Sequence, residues 1–146
     1  MKALSKISFI AIALLLFSGC SKGPKPIDYG NDGCYFCKMT IVDQIHASEL
    51  VTDTGKVFKF DATECMVNYI AENSELPIAN LLTNYYEAPT EFISTQEAKF
   101  LICEKIPSPM GANLTAFKTK ESAEKVQAEK GGKLYTWEAL KTYLNR

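Results

Sequence analysis

The residues of this chain that could do chemistry are concentrated in residues 34–39, whose sequence is CYFCKM. Cys34, Cys37 and Met39 place three sulfur side chains within these six residues. Thiolate and thioether sulfurs are soft ligands that suit Cu(I), whereas Mg²⁺ and Ca²⁺ prefer oxygen and structural Zn²⁺ sites use Cys and His without Met. The spacing therefore predicts a Cu(I) site that includes Cys34, Cys37 and Met39, although a methionine such as Met39 can also fill a gap in a core.

Cys65 and Met110 are further candidate copper ligands. Asp61 and Glu64 have the spacing of a capping box, which predicts a helix that begins with Asp61 as its N-cap and has Cys65 in or just after its first turn. Free N–H groups and the helix dipole lower the pKa of a thiol there, so Cys65 is either a ligand or a small buried hydrophobic residue. Met110 lies in a loop made rigid by two prolines, and it is either a ligand or a hydrophobic loop contact.

Three other side chains of metal-binding type are expected to have different roles. Cys103 lies in an apolar strand pattern, which predicts a buried thiol. Met66 and Ile70 are four residues apart, the spacing of one buried helix face, so Met66 is expected in the core. His46 is the only histidine and could donate an imidazole nitrogen, but a single histidine in a strand or loop is usually structural or exposed.

Residues 1–19 have the features of an export signal: two lysines, an unbroken apolar run over residues 9–17, and small residues directly before Cys20. The apolar run is too short for a membrane-spanning helix, so a cleaved signal peptide is expected. The small residues before Cys20 resemble a bacterial lipobox, which predicts a lipoprotein signal peptide and lipidation of Cys20; an ordinary signal peptide cut nearby is the alternative. The glycines and prolines of residues 20–33 predict a flexible tether, with the copper-binding domain over residues 34–146.

Cleavage before Cys20 would leave 127 residues, enough to bury a core. Removal of Lys2 and Lys6 lowers the number of basic residues from 16 to 14, against 17 acidic residues, so the net charge becomes about −3. Proteins that bind nucleic acid carry basic faces, and this balance argues against that function. A single histidine and no Ser-His-acid pattern give little support for hydrolysis, and we expect no enzyme activity.

The four remaining cysteines, Cys34, Cys37, Cys65 and Cys103, would lie in an oxidising compartment, where two structural disulfides are one possible outcome. Against this outcome, the C-x-x-C spacing of Cys34 and Cys37 is more typical of metal and redox sites. An exported thiol-disulfide oxidoreductase is the main alternative function. That motif normally begins a helix, whereas the β-branched run of residues 40–42 predicts a turn that enters a strand.

The predicted fold class is α+β, with a small antiparallel sheet and two to three helices. The Asp-Thr-Gly sequence of residues 53–55 predicts a hairpin turn between two strands, and a further strand is expected over residues 81–87, ended by Pro89. Phe60 and Glu64 at a strand-to-helix junction match Phe117 and Glu121 at a second one. The chain is therefore predicted to contain two related strand-helix halves, with chance similarity as the alternative.

Four ordered motifs span the predicted domain, and together they resemble the NosL family, the copper-binding accessory lipoproteins of nitrous oxide reductase. One departure is Lys38, where the family usually has Gly. The motifs are Cys34-x-x-Cys37-x-Met39, Phe60-Asp61-Ala-Thr-Glu-Cys65-Met66, Pro109-Met110-Gly111 with Leu114-Thr-Ala-Phe117, and Gly131-Gly132 before Trp137-Glu138.

This resemblance implies a protein that binds one Cu(I) ion and delivers it for maturation of nitrous oxide reductase, with help from an ABC-transporter assembly complex. It also implies an exported, membrane-anchored lipoprotein that faces the periplasm. Cys34, Cys37 and Met39 match the metal motif of the family, and Met110 matches its functional methionine.

Overall fold

The computed structural model describes residues 23–144, which form two antiparallel sheets and three helices. The predicted α+β class is confirmed, with two small sheets in place of one. Within these residues, no helix combines the length and apolar character needed to cross a bilayer. The strands are β1 Ser48–Thr52, β2 Val57–Phe60, β3 Ile78–Tyr85, β4 Ala88–Ser94, β5 Lys99–Ile102, β6 Leu114–Phe117 and β7 Lys133–Tyr135, and the helices are α1 Thr63–Glu72, α2 Lys120–Lys130 and α3 Trp137–Leu144.

The first sheet has the strand order β2-β1-β3-β4, and its β1-β2 hairpin forms at the predicted turn. Gly55 has a φ of +86°, a conformation that glycine adopts without steric cost, and its N–H donates to the carbonyl of Thr52 at 2.9 Å. Leu50 pairs with Phe58 across the hairpin, and both are buried. This hairpin therefore provides a rigid edge for the segments that carry the cysteines.

Strands β3 and β4 differ from the prediction in their bounds. Strand β3 starts at Ile78 and ends at Tyr85, and Pro89 lies inside β4 instead of ending a strand. Because β4 is the outer strand of the sheet, a residue without an N–H can face the unpaired side and disrupts no ladder of hydrogen bonds. Hydrophobicity along the chain does not reveal which strand lies at the edge.

The two halves of the chain have the same topology. In the first half, β1, β2, α1 and β3 follow one another and β1 lies between β2 and β3. In the second half, β5, β6, α2 and β7 follow in the same order, and β5 lies between β6 and β7. Phe60 and Phe117 each end the second strand of their half. The predicted similarity of the two strand-helix junctions therefore extends to a repeated ββαβ unit.

One hydrophobic core joins these halves. It includes Leu50 of β1, Phe100 of β5 and Leu140 of α3, and both Cys34 and Cys65 belong to it. The backbone also connects the two sheets, since the N–H of Tyr86 donates to the carbonyl of Ala116 at 2.9 Å. The cysteines therefore lie against a core that is shared by the whole domain.

The described part of the predicted tether contacts the domain, while the domain boundaries stay a prediction. The N–H of Lys25 donates to the carboxylate of Glu49 at 2.9 Å, Ile27 is buried in the core, and the hydroxyl of Tyr29 donates to Asn84 at 2.7 Å. Cys20 and the predicted signal peptide lie outside the described residues.

Candidate metal centre

The structure brings Cys34, Cys37 and Cys65 together. Their three Sγ atoms all lie within 4.8 Å of one another, although Cys65 follows Cys37 by 28 positions in the sequence. Cys34 and Cys65 are buried, whereas Cys37 is half-buried. None of the four cysteines among the described residues forms a disulfide. This arrangement offers a three-sulfur site that is closed toward the core and open at one side.

The loop that carries Cys34 and Cys37 is closed by its own backbone. The N–H of Cys34 donates to the carbonyl of Met39 at 2.8 Å, and the N–H of Lys38 donates to the carbonyl of Cys34 at 3.1 Å. Lys38 has a φ of +66°, in the left-handed region that glycine adopts most easily. Its ammonium donates to the carbonyl of Tyr35 at 2.6 Å and so stabilises the turn. This conformation explains why a glycine would suit the position of Lys38.

Neighbouring segments fix the position of this loop. The N–H of Tyr35 donates to the carbonyl of Lys59 in β2 at 2.8 Å, and the Tyr35 ring meets Phe58 edge-on with centroids 4.6 Å apart. Ile41 donates to the carbonyl of Asp32 at 2.9 Å. The predicted strand over residues 40–42 is wrong, because only Thr40 forms an isolated bridge, with Gly33. The two cysteines therefore lie in a turn and not at the start of a helix, unlike the motif of the redox alternative.

Cys34 is the thiol that the structure prepares as a thiolate. Its pKa falls to about 5, chiefly because the thiol of Cys65 donates a hydrogen bond to it. Burial opposes this shift, but the backbone N–H groups of Asp61, Cys37 and Phe36 also stabilise the thiolate. A preformed thiolate is the form of cysteine that binds a metal.

The prediction that Cys65 has a lowered pKa is wrong. Its pKa is raised, because its thiol donates to the Cys34 sulfur and because it is buried beside a negative charge. The pKa of Cys37 is also raised, mainly by burial, although the N–H of Met39 partly offsets this effect. The position of Cys65 in the first turn of α1 was predicted correctly, but the charge of Cys34 outweighs the helix dipole. Two of the three sulfurs therefore keep their protons until a metal replaces them.

Asp61 is not the N-cap that the sequence predicted. Helix α1 begins at Thr63, its N-cap is Ala62, and no side chain caps it. Asp61 is 1% exposed, and its Oδ1 has no hydrogen-bond partner among residues 23–144. Burial, and next the negative charge of Cys34, raises the pKa of Asp61 to about 6. Asp61 is thus a neighbour of the sulfur cluster, and the capping-box pattern in the sequence did not indicate this position.

The two candidate methionines lie at the surface. Met39 is 52% exposed and Met110 is 42% exposed, so neither fills the core. Met39 follows Cys37 in the closed turn, while Met110 lies in a loop whose Ser108 hydroxyl donates to Glu64, the residue before Cys65. Each methionine is therefore on a segment connected to the cysteines, and their role as ligands stays a prediction.

The remaining side chains of metal-binding type are engaged elsewhere. His46 is buried, and its two ring nitrogens lie 2.9 Å from the carboxylate of Asp43 and 3.0 Å from the hydroxyl of Thr115. Cys103 is buried as predicted, with its thiol 3.5 Å from the carbonyl of Lys130. Met66 is fully buried in the main core, which confirms its predicted place.

Comparison with known proteins links these segments to a described family. The family model named NosL matches residues 26–144. Among solved structures, the chain resembles the crystal structure of the copper chaperone NosL from Shewanella denitrificans, with a TM-score of 0.69 and 25% sequence identity. That similarity covers 82% of this chain and 96% of the other. A search of curated proteins found no match.

Proposed function

Because this chain belongs to the NosL family, as the match over residues 26–144 shows, we propose that it is a copper carrier that binds one Cu(I) ion through its clustered cysteines. The observation that carries this proposal is the approach of three Sγ atoms, from Cys34, Cys37 and Cys65, within 4.8 Å of one another. Three thiolates are soft donors, and softness favours Cu(I) over the hard cations Mg²⁺ and Ca²⁺. The solved relative is itself described as a copper chaperone.

The geometry suits a site that holds copper and then gives it up. Cys34 and Cys65 are buried, so they shield the bound ion, while Cys37 is half-buried at the outer side. Met39, two residues farther, is 52% exposed. An incoming ligand of a partner protein can therefore approach from the side of Cys37 and bind copper before the last carrier ligand leaves. The chain's contribution is to bind, shield and present the ion, with no catalytic step.

The acceptor and the location follow from the family resemblance. We propose that the copper goes to nitrous oxide reductase during its maturation, together with an ABC-transporter assembly complex. We also propose that the protein is exported, lipidated at Cys20, anchored to a membrane and oriented toward the periplasm. The short segment between Cys20 and the bound residue Lys25 would then keep the domain close to the membrane.

A competition titration tests copper binding. The reduced protein is titrated with Cu(I) and, separately, with Zn(II), and the experiment is repeated on Cys34→Ser, Cys65→Ser and the control Cys103→Ser. We expect one tightly bound Cu(I) per chain, a strong loss of affinity in the first two variants and no change in the control, because Cys103 lies outside the cluster. Equal affinity for the two metals, or insensitivity to Cys34→Ser, would overturn the proposal. Efficient reduction of insulin by the metal-free protein would favour the oxidoreductase instead.

A further inference from the structure

Glu64 connects the sulfur cluster to the loop that carries Met110. It is the residue before Cys65 in α1, and it is 4% exposed. Its Oε1 accepts a hydrogen bond from the hydroxyl of Ser108, 44 positions later in the chain. Ser108 is itself 6% exposed, so this contact is shielded from solvent. The first turn of α1 and the Met110 loop are thus joined by a buried hydrogen bond.

Ser108 also organises the loop beyond that bond. Its carbonyl accepts from the N–H of Gly111 at 3.0 Å, which closes a turn with Met110 inside it. Its hydroxyl oxygen accepts from the N–H of Leu114 at 3.4 Å. Ala112 packs against the core that includes Cys34 and Cys65. The loop is therefore held at both ends, while the Met110 side chain stays 42% exposed.

The burial of the Glu64 carboxylate reduces the stability of the protein, and the ββαβ fold does not require it. The Oε2 of buried Glu64 has no hydrogen-bond partner within the described part of the chain. A buried polar atom without a partner reduces stability. In the second half of the repeat the equivalent residue, Glu121, is exposed. Burial of this acidic residue thus occurs in the half that holds Cys65 and not at the equivalent position of the other half, and such departures from local rules concentrate at functional sites.

We propose that Glu64 and Ser108 are positioning residues that hold Met110, the methionine that the family resemblance implies to be functional, beside the cysteine cluster, and that this positioning sets the rate of copper release. This inference rests on the proposed copper binding by the three cysteines. A thioether is a neutral, weak ligand, so its contribution depends on how often the loop presents it to the ion. Fixing the loop in advance removes most of the entropy cost of that contact.

Methyl NMR of full-length protein in detergent tests this proposal. The methionine ε-methyl groups are labelled with ¹³C, the Met110 signal is assigned with Met110→Leu, and Cu(I) is added to one equivalent. We expect a large shift of the Met110 methyl signal in the wild type, a much smaller one in Ser108→Ala and Glu64→Ala, and recovery in Glu64→Gln. The Gln side chain keeps an oxygen that accepts from Ser108. Glu121→Ala, at the equivalent exposed position, should behave as wild type.

Copper release gives the second measurement. Transfer of Cu(I) to bathocuproine disulfonate should become about tenfold faster in Ser108→Ala and Met110→Leu, the order expected when one weak ligand is lost. An unshifted Met110 signal in the wild type, or unchanged release in both Ser108→Ala and Glu64→Ala, would overturn the inference. If Ser108→Ala does not fold, the pair Glu64→Ala and Glu64→Gln decides. Failure of the proposed function has a different signature, because the wild type would then not bind one Cu(I) per chain.

Discussion

Replacing Asp61 by Asn should stabilise the metal-free protein at neutral pH. Burial, and next the charge of the Cys34 thiolate, raises the pKa of Asp61 from 3.8 to about 6. A folded-state pKa above the unfolded-state value means that the unfolded chain loses its proton first, so the free energy of unfolding falls as pH rises through this interval. A shift of about two pKa units at roughly 1.4 kcal/mol each amounts to a penalty of up to about 3 kcal/mol above pH 6.

Urea unfolding of wild type and Asp61→Asn at pH 4, 5 and 7.5, with reductant and chelator present, measures this penalty. The variant should be more stable than wild type by up to roughly 3 kcal/mol at pH 7.5, and the difference should shrink toward zero near pH 4. Asp32→Asn provides a control of opposite sign: despite partial burial, the ammonium of Lys59 lowers the pKa of Asp32, so this variant should lose stability at neutral pH. A stability difference for Asp61→Asn that is absent at pH 7.5, or equally large at pH 4, would show that ionisation of Asp61 does not destabilise the fold.

Three further predictions concern proton release, packing and the histidine. Cu(I) binding at pH 7 should release about two protons per ion, because only one of the clustered thiols has a lowered pKa; a pH-indicator titration that finds none or three would contradict this. Gly132→Ala should cost roughly 3 kcal/mol in urea unfolding, since its Cβ would lie 2.4 Å from the carbonyl oxygen of Ile102. Gly30→Ala, which also has a positive φ but no atom within 4 Å, should cost only about 1 kcal/mol, and equal losses would count against the steric explanation. His46→Ala should lower the free energy of unfolding by roughly 3 kcal/mol while the folded protein still binds one Cu(I); loss of copper binding would make His46 a ligand.

The candidate sulfur ligands could be predicted from the sequence, because residue type and local spacing are enough to identify them. Cys34 and Cys37 are three residues apart, and the turn that unites them is closed by backbone hydrogen bonds among Cys34, Lys38 and Met39. The helix-start pattern predicts Cys65 in or just after the first turn of a helix, and the structure has it in the first turn of α1. Its thiol pKa could not be predicted in this way, because it depends on the charge of Cys34, which the fold brings close from a distant position.

Features that depend on long-range pairing were the ones that the sequence concealed. The segment from Lys25 to Tyr29 resembles a linker in composition, yet its partners Glu49 and Asn84 lie 24 and 55 positions away. Glu64 resembled half of a capping box, whereas its partner is Ser108 in the other half of the chain. Local patterns predict which elements form, but hydrogen bonds between distant segments are set by the tertiary fold.

The most direct test of the copper centre is X-ray absorption at the copper edge of the loaded protein. We expect a first coordination shell of sulfur atoms, the loss of one sulfur in Cys65→Ser, and an unchanged shell in Cys103→Ser, because Cys65 lies in the cluster and Cys103 does not. A shell dominated by nitrogen or oxygen, or one that Cys65→Ser leaves unchanged, would show that the clustered cysteines do not hold the copper.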